Sequence, residues 1–489
     1  MSKLPKVNRN IFRAYDIRGI AHTPNPEKGP GGKPDLTPET IHLIGHASGT
    51  YIKRKYGTNL VVGHDCRLSN PELSNAFIEG LRKSGCSVTL IGMTPTPMLY
   101  FAVCEMGFDG GAAITASHNP KEYNGVKLVA SGAHSICGDE LQEVYDLIES
   151  GDLETTNQPG ELKELDVFPA YLEKLDEVIN IPATPNDKPL KVAVDSGNGA
   201  TGPFVRPFLE ALGCEVIELF TKPDGSFPNH PANPEELENM QDLIAAVAEH
   251  GADLGLGFDG DGDRVGVVDE KGNHYSADLL LLLLARDLLS RQPGAQIVFD
   301  VKVSKVLIDD ITAHGGTPVM EKTGHSFIES KMREIGAPLG GEISGHMFFA
   351  ENYYGFDDAF LAAGKLLEIL AKAKINNVDS SAFGFSNLFA DVAKTACTPE
   401  LKSSCPDDKK FAIVDQITHN LSQEYDCITI DGIRVNFDEN SWGAVRCSNT
   451  SPNLTIRFEA PTQQRLDEIT AIMLEELRKY PEIDLWWAK

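Results

Sequence analysis

The chain has no C-x-x-C pair, and its nine cysteines are an odd number. Neither a disulfide framework nor a zinc site is therefore expected, and a reducing cytoplasm is the compartment these cysteines suit. Long apolar runs are also missing. The longest, residues 279–285, falls far short of the roughly 20 residues that a membrane helix needs. Residues 1–10 carry basic side chains without an apolar core, so no signal peptide or anchor is expected there. Positive charge is scarce, with 44 Lys and Arg against 71 Asp and Glu and a net charge of −27. That balance argues against nucleic acid and against an anionic membrane surface as partners. A phosphorylated ligand would be repelled overall, so a phosphate site requires a local cluster of Arg and Lys.

With 41% apolar and 24% charged residues, 489 in all, the chain has the make-up of a soluble globular protein, and at about 100–200 residues per domain it should form three to five domains. Short β-branched runs followed by helical periodicity recur at 59–63 then 71–84, 191–194 then 203–212, and 296–299 then 303–314. This cadence predicts parallel α/β units. There is no residue-level repeat, but the rhythm appears three times before residue 385. Beyond about residue 386 the pattern changes to strands without intervening helices (427–437, 443–447, 454–459). A closing helix then carries Leu466, Ile469, Met473 and Leu477 at helical spacing. Linkers are expected at 151–165, 181–188 and 375–381. The stretch from Thr23 to Pro38, rich in Pro and Gly, reads as an exposed loop without an assigned role.

Four segments carry chemistry. In Thr115-Ala116-Ser117-His118-Asn119-Pro120, a buried strand at 110–115 must turn sharply before Pro120, which would leave Ser117 exposed at a strand end. Such a run is also compatible with a simple turn. Downstream, Lys127 could supply a cation or carry a proton. In Asp259-Gly260-Asp261-Gly262-Asp263-Arg264, three carboxylates alternate with glycine or precede arginine between two strand-like runs. They can converge on one hard cation, and Mg²⁺ suits a phosphate ligand. An EF-hand loop is the rival, since Glu270 is twelfth from Asp259. It fails because Arg264 stands in the sixth place, where glycine is needed, and because the flanks read as strands. The third segment, Gly340-Gly341-Glu342-Ile343-Ser344-Gly345-His346, offers polar groups suited to sugar hydroxyls, with Lys322-Thr323-Gly324-His325 a little upstream. In the fourth, Arg446-Cys447-Ser448-Asn449-Thr450-Ser451-Pro452, a guanidinium, hydroxyls and an amide could enclose a phosphate dianion, although a polar β-turn fits as well.

In this order, together with Phe12-Arg13-Ala14-Tyr15-Asp16-Ile17-Arg18-Gly19, Gly63-His64-Asp65-Cys66-Arg67 and Thr94-Pro95-Thr96-Pro97, these segments strongly resemble the α-D-phosphohexomutase family, most closely its bacterial phosphomannomutase/phosphoglucomutase branch. The resemblance spans residue 11 to about 459. It implies three related mixed α/β domains and a smaller C-terminal α+β domain arranged around a central cleft. The expected division is a phosphoserine-loop domain at 1–165, a metal-loop domain at 166–273, a sugar-loop domain at 274–385 and a phosphate-binding domain at 386–489.

By the same resemblance Ser117 carries a phosphoryl group, and Mg²⁺ is held by Asp259, Asp261, Asp263 and Ser117. Arg18, His118, Lys127, Arg264 and His325 support transfer and proton movement. Tyr15, Arg18, Lys302, Gly324, His325, Glu342, Ser344 and His346 line the substrate site, and Arg446, Ser448, Asn449 and Thr450 grip the phosphate that is not being transferred. The implied reaction interconverts hexose 1-phosphate and hexose 6-phosphate, of mannose or glucose, through a 1,6-bisphosphate that also serves as activator. The partners would be phosphosugars, and the enzyme a cytoplasmic monomer or weak homo-oligomer. Phosphoglucosamine mutase and a metal-dependent sugar-phosphate phosphatase are the alternatives. The first usually has glycine after the serine of the phosphate loop, where Asn449 stands here. The second would not need a loop for a second phosphate. Ser451 departs from the family, which often has an acidic residue there.

Overall fold

A computed structural model describes residues 5–21, 34–183, 188–377, 383–449 and 451–488. The bulk of the Thr23 to Pro38 loop and Thr450 lie outside the described residues. The chain divides into two compact units, residues 1–287 with 344–389, and residues 288–343 with 390–489.

The first unit contains two mixed sheets. One has the order Ile17–Ile20, Tyr123–Ala130, Gly110–Ile114, Asn59–His64, Ser87–Met93, Leu162–Glu164. Its centre is parallel, with Asn59–His64 between Ser87–Met93 and Gly110–Ile114, while Tyr123–Ala130 returns antiparallel. Gly110–Ile114 is buried throughout, as expected of a central strand that is covered on both faces. The helices Pro38–Lys55 and Asn70–Lys83 meet through glycine: a Cβ on Gly80 would lie 2.1 Å from the His42 carbonyl. The strand Leu162–Glu164 lies inside the segment expected to be a linker.

The second sheet runs His274–Tyr275, Val265–Asp269, Leu254–Phe258, Lys191–Asp195, Glu215–Leu219. Leu254–Phe258 and Val265–Asp269 are antiparallel neighbours, so the aspartate loop is the turn between two fully buried strands.

In the second unit, Gln296–Asp300 lies between the parallel strands Thr317–Glu321 and Leu339–Gly341. A separate antiparallel sheet follows, ordered Ala396–Cys397, Asn453–Ala460, Ser441–Cys447, Ile433–Asp438, Asp426–Ile428, with Leu401–Ser404 also on Asn453–Ala460. Two expectations need correction here. The run 427–437 is a hairpin, broken where Gly432 takes φ +67° after Asp431, a conformation glycine adopts without strain. The helix Lys410–Leu421 interrupts the region beyond residue 386 expected to hold strands without intervening helices. Ile413, Val414, Ile417 and Thr418 are β-branched and lower its intrinsic propensity, but Ile413, Val414, Ile417 and Leu421 pack into the core beside Ile469 and Met473 of the expected closing helix. That packing outweighs propensity.

Candidate active site

The serine loop leaves the C-terminal end of the buried strand Gly110–Ile114, the edge from which open α/β sheets present ligand-binding groups. Ser117 adopts φ +50°, an uncommon conformation for a non-glycine residue that tends to mark functional turns. The Thr115 Oγ1 accepts from the Ser117 amide at 2.8 Å and helps to fix this turn. Ser117 is 2% exposed, so it is buried at the strand end rather than exposed there as expected, because the aspartate loop packs against its turn. Its Oγ donates to Asp259 Oδ2 at 2.7 Å and lies 3.1 Å from His118 Nδ1.

Ligand atoms of Asp259, Asp261 and Asp263 lie within 4.8 Å of one another, and all three residues are buried. Gly260 lets this loop approach the serine turn, because a Cβ there would stand 2.5 Å from the Ser117 carbonyl oxygen. Asp261 Oδ2 accepts from Thr96 Oγ1 at 2.8 Å and lies 3.1 Å from Thr115 Oγ1. Asp261 Oδ1 is buried with no hydrogen-bond partner. Three buried carboxylates around an orphaned oxygen suit a hard cation, so the residues present fit a bound metal.

Lys127 Nζ is 3.2 Å from Asp261 Oδ2 and also pairs with Asp263. Burial opposes its charge, but Asp261 and Asp263 hold it well above the ordinary lysine range. Burial and then repulsion by Asp263 and Asp261 push Asp259 well above the usual carboxylate range. Burial also opposes ionisation of Asp263, but Lys127 and His346 pull it well below that range.

Arg18 Nη1 donates to the Ala116 carbonyl at 2.6 Å and its Nε to Asp16 at 2.8 Å; Tyr15 lies near enough to favour the Arg18 charge. Arg264 Nε approaches His346 Nε2 at 3.3 Å, and that nitrogen is 3.2 Å from Asp263 Oδ1 and 3.5 Å from Asp357 Oδ2. Ser344 Oγ is 3.1 Å from His346 Nδ1. Within the first unit, then, Ser117, His118, Lys127, Arg18, Arg264, Ser344, His346 and the aspartates form one connected cluster.

The remaining expected residues belong to the second unit. Glu342, read from sequence as one loop with Ser344 and His346, falls in that unit while the other two fall in the first. Its Oε1 accepts from the Gly324 amide at 2.5 Å. His325 is buried and begins the helix His325–Ile335. Lys302 pairs with Glu400 and lies 3.6 Å from Asp300. Burial opposes the Glu400 charge, but Lys302 pulls its carboxyl down to about 2. Burial, assisted by Glu342 and Glu400, pushes Asp300 up to about 6 against the pull of Lys302.

Arg446 Nε donates to Asp431 Oδ2 at 2.6 Å, and that oxygen also accepts the Thr323 amide at 3.1 Å. Asn449 Nδ2 donates to the Thr323 carbonyl at 3.0 Å. Ser448 Oγ and Ser451 Oγ are 2.9 Å apart, and the buried Lys410 donates to both backbone carbonyls. The sequence reading missed Asp431, Glu400 and Lys410, which hold Arg446, Lys302 and the serine turn. Of these, only Asp431 carried a signal, as half of an Asp-Gly turn.

Models of phosphoglucomutase/phosphomannomutase match in series: alpha/beta/alpha domain I at residues 9–155, domain II at 169–272, domain III at 276–382 and the C-terminal domain at 400–476. The chain is 43% identical over 486 residues to a phosphomannomutase/phosphoglucomutase of Pseudomonas syringae pv. tomato, covering 99% of this chain and 98% of that one. It is 40% identical to a phosphoglucomutase of Neisseria gonorrhoeae, covering 95% and 96%. Among solved structures, a phosphoglucomutase/phosphomannomutase family protein from Burkholderia thailandensis superposes with a TM-score of 0.85 at 39% identity, covering 97% and 98%.

Proposed function

The chain belongs to the phosphoglucomutase/phosphomannomutase family and is a hexose-phosphate mutase, an isomerase, and we propose that Ser117 is the residue through which its phosphoryl group passes. The hydrogen bond from Ser117 Oγ to Asp259 Oδ2, between residues 142 apart in sequence, carries this reading. It joins the hydroxyl to the acidic cluster, whereas an incidental turn serine would have no reason to meet three buried carboxylates.

The cycle proposed here begins with phospho-Ser117, which gives its phosphoryl to a hexose 1-phosphate or 6-phosphate of mannose or glucose. A 1,6-bisphosphate forms, turns end over end, and returns the other phosphoryl to the serine. In the first transfer the sugar hydroxyl gives up its proton as the serine oxygen gains one, and in the second the Ser117 hydroxyl loses its proton as it takes the phosphoryl and the released sugar oxygen gains one; Asp259 and His118 lie within hydrogen-bond reach of the Ser117 hydroxyl. Lys127 supplies a buried positive charge beside the loop. Arg18 holds the Ala116 carbonyl, and Arg264, beside His346, adds a further positive charge. The family is metal-dependent, and Asp259, Asp261, Asp263 and Ser117 are the proposed ligands of Mg²⁺. When bound, the ion would neutralise charge on the phosphoryl oxygens.

One loop is taken from each of the segments 1–165, 166–273, 274–385 and 386–489. Tyr15, Lys302, Gly324, His325, Glu342 and Ser344 are proposed to bind the sugar phosphate. Arg446, Ser448, Asn449 and Thr450 would hold the other phosphate. Glu342 would recognise O3 and O4, which mannose and glucose share, and so leave the two poorly distinguished. Hexose 1,6-bisphosphate is the proposed activator. The enzyme is proposed to be a monomer or weak homo-oligomer. Among the described residues no helix is long and apolar enough to cross a membrane, and nine unpaired cysteines support a cytoplasmic setting. Relatives named for mannose and glucose do not favour the phosphoglucosamine or phosphatase alternatives.

The test is a ³¹P NMR time course with Mg²⁺ and trace glucose 1,6-bisphosphate on mannose 1-phosphate and glucose 1-phosphate, run on the native protein and on Ser117→Ala. Conversion to the 6-phosphates by the native protein alone is expected. Turnover by Ser117→Ala would defeat the scheme.

A further inference from the structure

The run Gly63-His64-Asp65-Cys66-Arg67 marks the family resemblance, yet nothing in the proposed cycle uses it. Arg67 is 1% exposed, and its guanidinium makes bonds from every N–H it has. Nε donates to Asp65 Oδ2 at 3.0 Å. Nη1 donates to the carbonyls of Pro120 at 2.7 Å and Tyr123 at 2.9 Å. Nη2 donates to those of Ser117 and Asn119, both at 2.7 Å. Five donors in a planar fork are thus matched by one carboxylate oxygen and four carbonyls of a single turn.

We propose that Arg67 is a positioning residue that moulds the backbone of residues 117–123 so that the Ser117 hydroxyl is aimed at the acidic cluster. The Pro120 carbonyl also accepts the Tyr123 amide at 2.9 Å, but a turn that points several carbonyls inward has no regular ladder to satisfy them all, and a buried acceptor without a donor is costly. Arg67 meets all four and so selects the backbone in which Ser117 takes φ +50°.

Asp65 completes the device. Its Oδ1 accepts the Arg67 amide at 2.9 Å and the Asn70 side chain, which fixes the carboxylate. Its Oδ2 accepts Arg67 Nε and is 2.7 Å from Thr115 Oγ1. That threonine in turn anchors the Ser117 amide and lies 3.1 Å from Asp261. The Arg67 clamp and the aspartate loop are therefore tied through one hydroxyl. Lysine cannot substitute, because an ammonium has three donors and no fork.

This inference rests on Ser117 being the phosphoryl carrier. The experiment compares native protein with Arg67→Lys, Asp65→Asn and Ser117→Ala. It measures kcat, KM and the rate at which glucose 1,6-bisphosphate adds phosphate to the protein, read by intact mass. The Arg67 guanidinium donates to Asp65 and the serine turn and lies over the Phe227 ring, so kcat and the phosphorylation rate of Arg67→Lys should fall together by about 100-fold, the scale that a misplacement of about 1 Å produces. KM should stay within about threefold.

A folded Arg67→Lys protein with kcat and phosphorylation rate near native would overturn the proposal. If Arg67→Lys does not fold, Asp65→Asn decides by the same criterion, with a parallel fall in both rates at steady KM in support and unchanged rates against. Phosphate uptake by Ser117→Ala would instead refute the serine assignment, whatever the clamp variants do.

Discussion

Lys127 stands within ion-pair reach of both Asp261 and Asp263, although it comes from a strand of the first sheet and they come from a turn of the second. One buried ammonium thus offsets part of the charge of three buried carboxylates, a load that a bound cation would share. The arrangement sets stability, cation affinity and transfer against one another.

Replacing Lys127 with Met should separate these effects. Removing one partner of a buried ion pair costs about 3 to 5 kcal/mol, so the variant should melt earlier without divalent cation and recover most of the loss when Mg²⁺ is added. Cation affinity should rise because a competing charge is gone. Turnover should fall by about 100- to 1,000-fold, as for loss of one electrostatic donor. Calorimetric Mg²⁺ titration and melting curves provide the check; weaker Mg²⁺ binding would contradict this account of the pair.

Glu342 is 2% exposed and fixed by the Gly324 amide, which allows a test of the shared-hydroxyl argument. Glu342→Gln keeps the shape and removes the charge. A hydrogen bond to a charged group is worth about 1.5 to 3 kcal/mol, so KM should rise about 10- to 100-fold. The rise should be the same for mannose 1-phosphate and glucose 1-phosphate within about threefold, a ratio that differential binding sets. A selective loss of one sugar would place recognition at C2.

Asp358 gives the pH prediction. It caps the helix Ala359–Asn376 by accepting the Leu361 amide at 3.0 Å and takes hydroxyl bonds from Tyr171 and Tyr353. Burial nevertheless pushes its carboxyl up to about 6 from an ordinary 3.8. Between those values the folded state holds the proton more tightly than the unfolded one. The Asp358 contribution therefore falls as pH rises from about 4 to 6, by about 2 to 3 kcal/mol, and is level above that. Asp358→Asn should lower stability at pH 4, since its amide satisfies the cap and both tyrosines less well. The gap to native should narrow by pH 7, read as the difference in melting temperature across the series. A constant gap would show that Asp358 does not titrate in this window.

The sequence alone determined the local settings of the segments proposed to carry the chemistry. The β-then-helix rhythm at 59–84, 191–212 and 296–314 reports the period of buried side chains, a local property. The aspartate loop between two apolar runs is likewise a hairpin turn written in one stretch of chain. Local pattern was weakest where packing overrode it, as in the β-branched helix Lys410–Leu421.

Tertiary structure decided which side chains meet. Spacing does not specify that Asp259 reaches Ser117, that Arg67 directs its fork to the serine turn, or that Asp431 and Glu400 restrain Arg446 and Lys302. Those pairings depend on where separate strands end in space, and sheet order and close packing fix that, while residue periodicity reports only which face of each strand is buried.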